Sequence, residues 1–147
     1  MEIIVPRKIL ESLGYDEVLA YFKDTSTVLP VSVAGEILFE ERVVPALNSN
    51  AHWPNLYGIY VREKYGRVWK LKYIGQRNSK EIRQRLREHL VKSHGKTGSQ
   101  RANVQNELGK GCIIGLKLAW IQPDELRHYY EARLLQDMKP IEWNKHH

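Results

Sequence analysis

Between residues 15 and 23 the apolar side chains fall at Val18, Leu19 and Phe22, the spacing of one helical face, which predicts a helix over 15–23. Upstream, Ile3 to Val5 is a short apolar run ended by Pro6, and Arg7 to Leu13 reads as a short helix stopped by Gly14. Val28 to Val33 reads as a strand broken by Pro30. Glu36 to Val44 fits either helix or strand. Ala46 to Asn55, with Asn48, Ser49, Asn50 and Pro54, reads as a loop and as the chain's main boundary. Beyond it the pattern sharpens. Leu56 to Val61 and Val68 to Ile74 read as strands, joined by the turn Lys64-Tyr65-Gly66-Arg67 into a β-hairpin. Ile82, Leu86 and Leu90 lie at i, i+4 and i+8 of a helix over 79–91, and residues 92–98 form a polar loop. A short helix over 100–108 stops at Gly109 and Gly111. A third strand over 113–121 and a last helix over 124–138 complete the chain, Pro123 opening that helix and Pro140 ending it.

The order strand, strand, helix, helix, strand, helix predicts an α+β fold: a small three-stranded, mainly antiparallel sheet flanked by helices. Residues 1–52 are expected to form an N-terminal extension to a main domain over 53–147.

Composition narrows the class. At 147 residues, with 42% hydrophobic and 27% charged residues, the chain is long and apolar enough to bury a core, which excludes a wholly disordered protein. A net charge of +6 leaves nucleic acid open as a partner without requiring it. The single cysteine, Cys112, sits beside Ile113 and Ile114 and reads as a small buried hydrophobe. No apolar stretch approaches the ~20 residues of a membrane span, and no secretory pattern opens the sequence, so a cytoplasmic location without membrane partners is expected. His146 and His147 are set aside as ligands.

Several residue groups carry candidate chemistry. Arg77, Lys80, Arg83, Arg85, Arg87 and Lys92 make a basic ridge around the helix after the hairpin, which taken alone reads as an ordinary solvated face and also suits a phosphate backbone. Arg85 and His89, four apart, share a face of that helix. Tyr60 and Tyr73 lie on the paired strands, flanked by Gly58 and Gly75, and could as well be packing residues. Glu131 could be a solvated helix acid or the single carboxylate that a hydrated magnesium ion needs.

Taken in order, these residues are more specific than any one alone. Gly58-Ile59-Tyr60 followed by Tyr73-Ile74-Gly75 resembles the two tripeptides that name the GIY-YIG nucleases. Arg85-Leu86-Arg87-Glu88-His89 is similar to that family's next helix, and Glu131-Ala132-Arg133-Leu134-Leu135 with Lys139-Pro140-Ile141-Glu142-Trp143-Asn144 is similar to the ending of its restriction endonucleases. The resemblance spans about residues 55–145. It implies a metal-dependent endonuclease acting on double-stranded DNA, a homodimer on the substrate being one option. It gives Tyr60 the role of general base, its proton removed by His89. Arg85 and Tyr73 would hold the scissile phosphate, Glu131 would bind Mg²⁺ or Mn²⁺, and Asn144 would orient the site. Arg83 and Arg87 are alternatives to Arg85, and His94 to His89. A nucleic-acid-binding module of the same fold without catalysis is the alternative function.

Overall fold

The computed structural model describes residues 10–11, 14–92 and 98–144. The described chain is α+β. Its elements are β1 (Leu10–Glu11), α1 (Tyr15–Lys23), β2 (Leu29–Pro30), β3 (Ser32–Val33), β4 (Glu36–Ile37), α2 (Val44–Leu47), β5 (Leu56–Arg62), β6 (Lys70–Gln76), α3 (Ile82–Leu90), α4 (Arg101–Gly109), β7 (Ile113–Trp120) and α5 (Leu126–Asp137). A single π-helical turn, Phe39–Val43, runs into α2.

The expected hairpin is β5–β6, and the third expected strand is β7, antiparallel to β5 on its other side. The sheet is nevertheless larger than three strands. Its order is β1-β7-β5-β6, with β2 also paired to β7, and β3 and β4 form a separate two-stranded ribbon. β1 runs parallel to β7, whereas the other pairings in the sheet are antiparallel. The added strands come from residues 10–37, which were expected to stand outside the main domain. Leu10–Glu11 is strand where a helix was expected over 7–13; the rest of that stretch, and the run at 3–5, lie outside the described residues.

The sheet is buried on both faces, so the alternation of β5 and β7 divides two cores rather than a core from solvent. On one face Tyr57, Ile59 and Val61 pack with Val31, Phe39, Val43 and Leu47 and with Ile82, Leu86 and Leu90 of α3. On the other, Leu56 and Tyr60 pack with Val18 and Phe22 of α1 and with Tyr130 and Leu134 of α5. Both cores draw on residues before 53, so the chain does not divide at the expected boundary. The amphipathic spacing of α1 explains its docking: Val18 and Phe22, one turn apart, are fully buried.

The ending at Lys139 to Asn144 lies along β6. The Trp143 amide donates to the Lys72 carbonyl (2.9 Å). The Asn144 side chain accepts from the Ile74 amide and donates to its carbonyl, each at 2.9 Å. It thus stands in for a strand neighbour on an edge that would otherwise expose unpaired groups. Asn144 was expected to orient the catalytic site; its polar atoms are instead spent on the backbone of β6. Asn55 does comparable work at the opposite end, holding both backbone groups of Ile121 and the Asp124 carboxylate ahead of α5.

Candidate active site

A cleft of about 370 Å³ opens where β5 begins and β6 ends. Tyr57, Tyr73, Arg77, Arg85, Arg127, His128 and Glu131 line it, with Gln76, Asn78 and Glu81 at its rim. Four of the expected residues, Tyr73, Arg77, Arg85 and Glu131, are therefore brought together from β6, the loop after it, α3 and α5.

Tyr60 is not among them. In an antiparallel pair, directly opposed residues share a face. The residue opposite Tyr73 is Ile59, and opposite Gly75 is Tyr57. Tyr57 therefore shares the face of Tyr73, while Tyr60 opposes Leu71 across a β-bulge and points into the other core. There its hydroxyl is fully buried and donates to the Phe22 carbonyl at 2.6 Å. Burial pushes its ionisation far above the usual phenol range, with Tyr21 and Asp24 adding to the rise. Tyr60 is a packing residue that closes the end of α1. The β5 tyrosine in the cleft is Tyr57, three positions earlier. Gly75 makes room for it: a methyl group there would stand 2.5 Å from the Tyr57 hydroxyl and 2.8 Å from the Tyr73 ring.

The Tyr57 hydroxyl lies 2.7 Å from Nε2 of His89, which is buried. The other ring nitrogen, Nδ1, accepts a hydrogen bond from the Gln100 amide at 2.9 Å. A ring nitrogen that accepts from an N–H carries no proton, so neutral His89 bears its hydrogen on Nε2 and donates it to Tyr57; the tautomer is assigned from this bonding pattern. Burial, followed by the charges of Arg85 and Arg77, lowers the His89 pKa to about 3, which keeps the ring neutral. The expected proton transfer from tyrosine to His89 does not fit this arrangement. His89 is a donor that favours a phenolate on Tyr57 rather than the base that creates it.

Of the three arginines in the cleft, Arg85 is the one that meets both tyrosines. It is a hydrogen-bonding partner of both Tyr57 and Tyr73 and donates to Glu88 at 2.9 Å. Burial raises the pKa of both tyrosines, and Arg85 acts against that rise in each. Glu131 is half-buried and, among the described residues, makes no hydrogen bond or ion pair. Desolvation raises its pKa to about 7. An under-compensated carboxyl facing a wet cleft suits a cation, and one carboxylate plus water oxygens is a sufficient donor set for magnesium. Among the described residues no three His, Cys, Asp or Glu side chains cluster as a metal cage.

The basic ridge separates into two groups. Arg83 and Arg87, whose side chains are 46% and 45% exposed, both reach Glu40 of the N-terminal segment, while the Arg85 side chain is 11% exposed and faces the cleft. Lys80 and Lys92 are exposed, and His94 lies outside the described residues. On the endonuclease activity that the sequence resemblance implies, Arg85→Ala should lower cleavage by about 10²–10³-fold, the scale of losing one preorganised charge donor. Arg83→Ala and Arg87→Ala should cost only a few-fold, since exposed pairs are weak. Single-turnover rates on one DNA substrate check this; equal losses at all three positions would make the ridge a diffuse phosphate surface.

Of the residues in the cleft, sequence reading missed Tyr57, Arg127 and His128. Tyr57 was not within reach, because the register next to the turn pairs Tyr60 with Leu71 and would keep Tyr73 on the face of Tyr60; the bulge between Ile59 and Tyr60 moves Tyr73 to the face of Tyr57. Arg127 donates to the Gln76 side chain at 2.8 Å, a contact between distant segments that no local pattern announces.

Comparison with known proteins finds no matching family model, curated protein or solved structure. Among the described residues no helix is long and apolar enough to cross a membrane.

Proposed function

We propose that the chain is a metal-dependent endonuclease of the GIY-YIG type that hydrolyses phosphodiester bonds of double-stranded DNA, with Tyr57 in the role that motif matching gives to Tyr60. The observation that carries this reading is the convergence of Tyr57, Tyr73, Arg85 and Glu131 on one open cleft, with a neutral His89 donating to Tyr57.

Each group has a task that its surroundings suit. Tyr57 accepts from His89 and Arg85 and directs its own proton towards Tyr73 and the cleft. Once its proton has passed to solvent through the cleft, the phenolate, held by the donors His89 and Arg85, takes a proton from the attacking water, and the hydroxide formed bonds to phosphorus as the bond to the leaving oxygen breaks. Arg85 and Tyr73 present N–H and O–H groups to the non-bridging oxygens, where charge grows as the phosphorus becomes five-coordinate. Glu131 would hold Mg²⁺ or Mn²⁺, which when bound supplies positive charge against the leaving oxygen. No side chain is required to form a bond to phosphorus.

Glu131 separates binding from chemistry. Glu131→Ala should abolish cleavage yet leave DNA binding equal or tighter, because removing the carboxylate relieves repulsion of the phosphate, about 1 kcal/mol at 4 Å in bulk water and more in a partly desolvated cleft. A gel-shift titration in EDTA beside a cleavage time course in Mg²⁺ tests the proposal. Joint loss of both in a folded mutant would remove Glu131 from the metal role.

The same residue sets a pH dependence. Its pKa is raised from 4.5 to about 7, so folding favours its protonated form. That stabilisation is complete below 4.5 and lost as pH rises through 7. At limiting Mg²⁺, cleavage should climb as pH passes 7 and the carboxylate forms. Glu131→Gln should raise Tm at about pH 8 and change it little at about pH 4. A Tm difference independent of pH would show that the carboxyl is not held neutral by burial.

A further inference from the structure

A second, larger cavity of about 670 Å³ lies at the opposite end of β5 from the cleft. Tyr57 and Arg62 are five strand residues apart, or about 17 Å at the usual rise. The cavity is lined by Arg42 from the π-helical turn, Arg62 at the end of β5, Lys64 and Tyr65 of the hairpin turn, and Gly109 and Gly111 at and beyond the end of α4. Among the described residues no acidic side chain lines it. Among the described residues none of the three cations has a carboxylate partner, in contrast to Arg83, Arg85 and Arg87 of α3, each of which has one.

The three are not equally free. Arg42 donates to the Pro30 carbonyl at 3.2 Å, which fixes its position without neutralising it. Arg62 lies with its guanidinium carbon 4.8 Å from the Trp69 ring centre. Stacking of this kind leaves the in-plane N–H groups as its only donors, and the Nε of Arg62 is shielded from solvent with no hydrogen-bond partner among the described residues. A buried donor left unpaired is destabilising, so the stacked position of Arg62 is held at some cost. Lys64 is exposed beside Tyr65, whose side chain is 89% exposed and presents an open aromatic face. Fixed guanidinium groups, a mobile ammonium and an open ring form the chemistry that holds a polynucleotide backbone.

We propose that this cavity is a second phosphate-binding site for the nucleic acid, gripping its backbone away from the scissile bond. Arg42 and Arg62 act as the fixed donors and Lys64 as the adaptable one. The inference rests on the nuclease reading, but its test needs no catalysis. It also assigns work to the N-terminal segment: Arg42 belongs to residues 1–52, so that segment shapes substrate grip as well as the core.

The test is fluorescence-anisotropy binding of a labelled DNA duplex to the full chain in EDTA, across a salt series. The proteins are wild type, Lys64→Gln, Arg42→Gln/Lys64→Gln, and Arg67→Gln as a basic residue of the same turn outside the cavity. Lys64 is exposed, so its substitution leaves packing untouched. The double variant should bind several-fold more weakly. Its slope of log affinity against log salt should flatten by about 2, since each phosphate that the protein ceases to neutralise removes about 0.9. Lys64→Gln should show about half that flattening, and Arg67→Gln clearly less. Wild-type slopes in the cavity variants would overturn the second site while leaving the nuclease reading intact. Equal flattening by Arg67→Gln and Lys64→Gln would overturn it in favour of a general charge effect. Absence of duplex binding by the wild type would overturn both.

Discussion

Tyr57→Phe should lower DNA cleavage by about 10³-fold while leaving the fold and duplex binding unchanged, the scale being that of losing a positioned proton acceptor. The hydroxyl meets His89 and faces the cleft, so its loss removes the proton acceptor and leaves the ring in place. His89 Nε2–H loses its partner in this variant and is buried, so Tyr57→Phe should also lose about 1–3 kcal/mol of stability, and its cleavage is compared below its own Tm. Tyr60→Phe should lose stability alone. Its hydroxyl is the buried donor to the Phe22 carbonyl, so the variant should lose about 1–3 kcal/mol of stability. Below its lowered Tm it should cut at the wild-type rate. Single-turnover cleavage and thermal melts of both variants decide the matter. Near-normal cutting by Tyr57→Phe, or a dead but stable Tyr60→Phe, would return the general base to the residue that the tripeptide match selects.

Removing residues 1–52 should abolish folding. The cut takes away Val18, Phe22, Val28, Val31, Phe39, Val43 and Leu47, all buried. At about 1.5–3 kcal/mol for each large apolar side chain, these match or exceed the about 5–15 kcal/mol by which a domain is stable. The cut also strips β1 and β2 from β7, leaving an edge of unpaired backbone on an apolar strand, a template for aggregation. Residues 53–147 expressed alone should be insoluble or, if refolded, lack a cooperative melt. A soluble fragment with dispersed amide resonances would show that the N-terminal segment is separable.

What could be read from the sequence alone follows from element length. α1 begins and ends where Val18, Leu19 and Phe22 predict, because nine residues complete enough turns to show a face. The hairpin, β7 and the last three helices were legible for the same reason. β1 and β2 were not, since a two-residue strand has no period, and its pairing with β7 is set by the chain's return from far away. The candidate site divides along similar lines. Arg85, Glu131 and Tyr73 stand in long elements with one outward face, and their residue types announce charge or hydrogen bonding. Tyr57 was passed over because the bulge between Ile59 and Tyr60, which has no signature in residue type, is what puts Tyr73 on its face. The tautomer of His89 is invisible for another reason: the Gln100 backbone amide that sets it has no signature in residue type. Asn144 shows the converse, a polar residue whose side chain completes a strand edge.

The central claim is that this cleft hydrolyses DNA with the help of a divalent ion. Its most direct test is a time course of supercoiled plasmid with the full chain, in Mg²⁺ or Mn²⁺ and in EDTA, read as nicked and linear product. The account predicts cutting in either metal, none in EDTA, and full recovery when metal is restored in excess. Plasmid left intact in both metals by a folded, DNA-binding protein, or cut equally fast in EDTA, would contradict it.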